Sequence, residues 1–187
     1  MKRREFVRTC MAGAVLGSSA ATRVSASAAE AAEKVGINPN RLAESAREHF
    51  VAGKRTCGES ILAAGCEALG IKSELVPDIA LGLAGVGLQG ETCGVLTGSA
   101  LVLSLAVAKQ EKQAEYPTRR MRTLEAVGRV HRAFKNEFGH TDCRSLCGLD
   151  LTTPEGREKL KAGVRAEKCA KYAEIAARIL GEELNGL

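Results

Sequence analysis

The sequence has no tryptophan and only four phenylalanines and two tyrosines, too few rings for a base-stacking nucleic-acid platform. It has no apolar run approaching the about 20 residues that a membrane-spanning helix needs. Sustained alternation of apolar and polar residues is missing, which argues against a sheet. Charge of one sign is scarce outside the N-terminus. Residues 1–28 hold five basic residues and one acid, leaving 22 basic and 21 acidic residues in 29–187. A body so close to neutral offers no electrostatic footprint for nucleic acid. There is no nucleophile elbow with a Ser-His-Asp order and no HExxH, and the glycines at 82–90 lack a P-loop lysine, so hydrolase and phosphate-loop chemistry have no support. No CxxC and no CxxCH occur, which removes the usual covalent haem attachment.

What is present begins with a leader. Residues 1–28 read as an export signal: a charged Lys2-Arg3-Arg4-Glu5-Phe6-Val7-Arg8, a short apolar Met11-Ala12-Gly13-Ala14-Val15-Leu16-Gly17, and a small-residue cleavage site at Ala26-Ser27-Ala28. The paired arginines resemble a twin-arginine signal, although Lys2 and Val7 depart from its commonest form. That route carries folded proteins to an extracytoplasmic compartment such as the periplasm. No stable membrane span is expected after cleavage. Residues 29–40 read as a linker.

Residues 41–187 predict an all-α fold, a compact bundle of about five to seven helices. Leu42 to Val51 forms the first, stopped by Gly53. Thr56-Cys57-Gly58-Glu59 is a capping box for a helix ending at Gly70. Pro77 opens a helix to about Ala84, and Gly82, Gly85, Gly87 and Gly90 make the next stretch a loop. Cys93 to about Lys109 is the most apolar helix. Pro117 to Phe138 is long and amphipathic, closed by Gly139. A short turn carries Cys143 and Cys147, and Thr153-Pro154-Glu155 opens the last helix, which runs to Leu184.

The chemistry lies in cysteine. Seven are present, and Cys10 leaves with the leader. Cys57 and Cys93 sit at helix starts, where unpaired N–H groups and the macrodipole favour a thiolate. Arg144 beside Cys143 and Lys168 beside Cys169 add positive charge. Gly94 and Gly98 share one helix face, open to a neighbouring helix or a cofactor. His49, His131 and His140 are candidate ligands, and a lone helical histidine is more often a packing or surface residue. Arg119, Arg120 and Arg122 read as a solvated face.

Cys57, then Cys93-Gly94-Val95-Leu96-Thr97-Gly98, then Cys143-Arg144-x-Leu146-x-Gly148-x-Asp150-Leu151, then Cys169 resembles the redox-active proteins named for their C_GCAxxG_C_C pattern. The resemblance covers roughly residues 45–184, with Val95 in place of the family's Ala. It implies a small exported or membrane-associated redox protein whose working residues are Cys57, Cys93, Cys143 and Cys169. Cys66 and Cys147 stand outside the pattern, and Cys147 is close enough to Cys143 to join its chemistry.

Three functions remain open. The four cysteines exchange thiol and disulfide, or they hold an iron–sulfur centre or another Cys-ligated metal, with Cys147 as a substitute ligand. Either form of redox chemistry requires a redox partner protein or a small electron carrier. The six cysteines form up to three redox-inert disulfides that staple an aromatic-poor bundle. Or the domain binds a metal or other ligand without turnover. In the dithiol reading Cys57 and Cys93 are the more nucleophilic pair, and Cys143 and Cys169 resolve it.

Overall fold

The computed structural model describes residues 36–187, so the expected export signal, residues 1–28, and residues 29–35 of the expected linker lie outside the described residues. Eight α-helices follow one another: α1 Pro39–Val51, α2 Cys57–Leu69, α3 Gly85–Leu88, α4 Gly94–Gln110, α5 Tyr116–Phe138, α6 Cys143–Cys147, α7 Pro154–Lys159 and α8 Ala170–Asn185. A 3-10 helix covers Asp78–Leu83 and a π-helix Leu160–Cys169. Five of the α-helices have seven or more residues. The fold is all-α, and the described residues hold no strand, only one isolated antiparallel bridge between Thr92 and Asp142. None of their helices is long and apolar enough to cross a membrane.

The boundaries follow local chemistry. Asn38 caps α1 with its side-chain oxygen, and Pro39 takes the first helical turn, where its missing N–H costs nothing. The helix therefore starts two residues inside the expected linker. Residues just before it are tied down, since Asn185 of α8 accepts from the Ile37 N–H and donates to the Ile37 carbonyl, both at 2.8 Å. The Thr56 capping box is complete in both directions and Gly70 closes α2 in the left-handed conformation. Pro77 is followed by a 3-10 helix instead of the α-helix its position suggests. Leu81, Gly82 and Leu83 supply little buried face there, since only Ala80 is fully enclosed.

Helix α4 is the centre. It packs on α2, α5 and α8, and Val95, Leu96, Val102, Leu103, Ala106 and Val107 are buried along it. Burial on several sides explains why its sequence is apolar almost all round. Its polar Ser99 is buried with its hydroxyl donated to the Val95 carbonyl at 2.7 Å, so no donor is left unpaired. Helix α1 lies along α8, closing the other side with Phe50, Ala46 and Leu180.

The α2–α4 contact is a small-residue seam. A Cβ on Gly98 would stand 2.6 Å from the Gly58 carbonyl oxygen, and one on Gly65 would stand 2.4 Å from a Val102 methyl. The two backbones approach closely only because these positions are bare. Of the two occupants open to the Gly94–Gly98 face, a helix takes it, namely α2.

Candidate functional site

The upper end of that seam brings the sulfurs together. Cys57 is the first residue of α2, and Cys93 is the residue that caps α4. The Cys57 sulfur rests on the Gly94 backbone, where a Cβ would be 2.5 Å from it. It is therefore held next to Cys93 by helix packing. A second device sets Cys143 on the same side. The Cys93 N–H donates to the Thr141 carbonyl at 2.8 Å and the Cys143 N–H to the Glu91 carbonyl at 2.7 Å. This short antiparallel exchange registers the two cysteines against each other. Gly85, with φ of +52°, lets the chain pass within 3.0 Å of the Cys143 sulfur, measured from where a Cβ would be. Any side chain there would strain the backbone and push on the thiol.

Cys169 arrives from the far end of the chain, at the junction of the π-helix and α8. Cys147 arrives one helical turn after Cys143. Together Cys57, Cys93, Cys143, Cys147 and Cys169 line one cavity of about 20 Å³, completed by Val95, Leu146 and Tyr172. That volume suits about one water-sized molecule. Cys93 and Cys147 are buried, and the other three are half-buried. Cys66 is buried elsewhere on α2 and does not line the cavity. The six cysteines among the described residues are free thiols.

The thiols differ in acidity. The Cys93 thiol, acting as hydrogen-bond donor, is the strongest influence on Cys57 and overcomes the cost of burial. The N–H groups of Gly58, Cys57 and Gly94 add to it, and the Cys57 thiol is drawn down to about 7. Cys93 is driven the other way, well above the usual thiol range, because it donates to Cys57, is buried, and faces the charge on Cys57. The pair thus holds its protons unequally: Cys57 gives its proton up the more readily and Cys93 keeps its own. Burial first, and then the neighbouring sulfurs, push Cys143 up to about 12. Burial and the Cys57 charge do the same to Cys169, to about 12.

Several expectations change here. Cys93 is at a helix start but is the protonated member of its pair. Arg144 does not serve Cys143, because its guanidinium is paired with Asp150 at 2.9 Å. Lys168 does act on Cys169, with Arg165, but both are outweighed by burial. Arg165 is otherwise engaged, stacking 3.8 Å over the Phe50 ring and donating to the Phe50 and Arg55 carbonyls. His49 is bonded to Glu67 at 2.8 Å on the α1–α2 surface. His131 lines a separate apolar cavity of about 130 Å³ between α4 and α5. Arg122 is bonded to Glu111 and to the Leu187 carbonyl.

Among the described residues no three His, Cys, Asp or Glu side chains stand where they would hold one ion. As arranged, these side chains do not form a ready site for an iron–sulfur or other metal centre.

Tyr172 is a member of the site that the sequence reading missed. Its hydroxyl donates to the Leu146 carbonyl at 2.9 Å, and its ring packs edge-on against Phe138 at 4.8 Å. It stands three residues after Cys169, hence on the same helix face, and that spacing was the available signal. Gly85 and Gly58 were likewise missed as spacers.

The profile of one family, described as "Putative redox-active protein (C_GCAxxG_C_C)", matches residues 55–183. No curated protein and no solved structure matches the chain.

Proposed function

The chain belongs to the C_GCAxxG_C_C family, and from that premise we propose that it is a dithiol redox protein working through Cys57 and Cys93. The observation that carries this reading is the convergence of Cys57 and Cys93 on one thiol-lined cavity, and the opposite directions of their acidity shifts support it. With a disulfide acceptor, the Cys57 thiolate attacks one acceptor sulfur, forms a mixed disulfide and releases one thiolate. That thiolate takes the Cys93 proton. The Cys93 sulfur then attacks Cys57, the intramolecular disulfide closes, and the second acceptor thiolate leaves. Two thiol groups are oxidised and the acceptor takes two electrons. Cys143, Cys147 and Cys169 are the thiols within the same cavity that can reopen the bridge and pass it outward to a partner protein or small electron carrier.

The test is oxidation of the fully reduced chain by diamide, followed by mass-spectrometric mapping. A Cys57–Cys93 bridge as the first product is expected. Bridges that first appear elsewhere, or a first product that includes Cys66, would overturn the reading. Export belongs to the same proposal. The support is Arg3-Arg4, the apolar run and Ala26-Ser27-Ala28, and the destination would be an oxidising compartment. N-terminal sequencing of the secreted protein that finds Met1 retained would remove it.

A further inference from the structure

We propose that the oxidant admitted at the Cys57–Cys93 pair is a small hydroperoxide, and that the cavity selects it by size. This rests on the dithiol reading and adds the substrate class to it. The cavity measures about 20 Å³ and is walled by five sulfurs, two aliphatic side chains and one ring. No carboxylate, amide or cationic side chain lines it. Its single hydroxyl, on Tyr172, is already donated to the Leu146 carbonyl. Such a wall cannot recognise the charged or amide groups of a peptide or of glutathione. Its volume favours a neutral molecule little larger than water over larger acceptors, and among small oxidants of thiolates hydrogen peroxide is near that size.

The neighbouring groups suit the reaction. The Cys57 thiolate attacks the distal oxygen, forming an S–O bond and breaking the O–O bond. The other oxygen departs as hydroxide from hydrogen peroxide, or as alkoxide from an alkyl hydroperoxide, and takes the proton that Cys93 holds, giving water or an alcohol. The Cys93 thiolate so formed attacks the Cys57 sulfur, the S–S bond forms, and hydroxide leaves. Two sulfurs lose two electrons together, and the peroxide gains two. A protonated Cys93 is therefore useful twice, first as the acid for the leaving group and then as the resolving nucleophile. A pair with both thiols ionised would lack the acid, and a pair with both protonated would lack the nucleophile.

The experiment uses the full chain, fully reduced, with hydrogen peroxide, cumene hydroperoxide and diamide in parallel at pH 7. Hydrogen peroxide is expected to react at least about tenfold faster than with free cysteine, since thiolate fraction alone supplies roughly that gain. Cumene hydroperoxide is expected to be slower than hydrogen peroxide by a similar factor. In Cys93→Ser one added oxygen should be trapped on Cys57 by dimedone. Cys57→Ser should lose the fast phase, and Cys66→Ala should keep it. Mapping of the oxidised wild-type chain keeps the test decisive if a variant fails to fold. If diamide closes the Cys57–Cys93 bridge but hydrogen peroxide reacts no faster than with free cysteine, the peroxide proposal fails and the dithiol reading stands. Equal rates with both hydroperoxides would overturn the size argument. If neither hydrogen peroxide nor diamide closes that bridge, both proposals fail.

Discussion

Cys57 and Cys143 are each the first residue of a helix, and both sulfurs face one cavity. Yet Cys57 is drawn down to about 7 and Cys143 is pushed up to about 12. The first difference is the Cys93 thiol, which lowers Cys57, whereas burial and the neighbouring sulfurs raise Cys143; the destination of the first-turn N–H groups adds to the contrast. Around α2, the N–H groups of Cys57, Gly58 and Gly94 serve the sulfur. Around α6, the Cys143 N–H is given to Glu91, the Arg144 N–H to Gly90 and the Ser145 N–H to Asp142. A helix start acidifies a thiol only when its donors remain free to point at it. The same bonds that place Cys143 beside Cys93 also leave it without donors, so one thiol is positioned and the other is activated.

The largest expected effect is the contrast itself. At pH 7 Cys57 should alkylate at least about 100-fold faster than Cys143 or Cys169, because thiolate fraction sets the rate. The sign with pH is fixed by the directions of the shifts. Labelling of Cys57 should rise through about pH 7 and level off, while Cys143 and Cys169 should still be rising above pH 9. Iodoacetamide labelling across pH with peptide mapping reads both. Similar rates for Cys57 and Cys143 at pH 7 would break the comparison.

The second effect tests how the Cys57 side is built. Gly98→Ala would press a methyl to 2.6 Å from the Gly58 carbonyl oxygen, which is backbone and cannot rotate away. A loss of about 1–3 kcal/mol in urea unfolding is expected for such overpacking. Gly94→Ala would instead press on the Cys57 sulfur at 2.5 Å. It should disturb the redox pair more than the stability. If Gly98→Ala is neutral, the seam does not hold the helices at their present spacing.

The sequence carried the frame of this arrangement better than its chemistry. Local signals are strong where a cap decides the outcome: Thr56 with Glu59, Gly70, and Gly139 each end or begin a helix where expected. The π-helix at Leu160–Cys169 was not legible, because its ten residues carry the same apolar spacing that an α-helix would use. The stretch after Pro77 was read as an α-helix, and proline at a first turn does not distinguish α from 3-10. Convergence of Cys57, Cys93, Cys143 and Cys169 is tertiary, and only the resemblance to a cysteine pattern pointed to it. The proton state of Cys93 was beyond reach for another reason. It depends on a neighbour 36 positions away in sequence, whereas the helix-start rule considers only the residue's own helix. Arg144 shows the same limit, since adjacency to Cys143 did not reveal that Asp150 would claim it.

A third and smaller effect isolates the donor thiol. Cys93→Ala removes the first cause of the low Cys57 value. A charge-assisted hydrogen bond of about 1.5 kcal/mol corresponds to a rise of about one pKa unit. Labelling of Cys57 at pH 7 should fall several-fold. No change would mean that the backbone donors alone hold the thiolate.

The smallest effect concerns the other side of the cavity. Tyr172 of α8 holds α6 by donating its hydroxyl to the Leu146 carbonyl at 2.9 Å. Its ring is fixed separately by Phe134 and Phe138. Tyr172→Phe therefore deletes one hydrogen bond and leaves the packing, with an expected cost of about 1 kcal/mol. Because α6 has only five residues, that loss should appear as local opening of α6 more than as global unfolding. Labelling of Cys143 and Cys147 should rise a few-fold, while Cys57, held by α2 and α4, should keep its rate and its pH midpoint. A parallel rise at Cys57 would mean that the two sides of the cavity move as one body. Positioning and activation would then be properties of the whole cluster and not of separate helices.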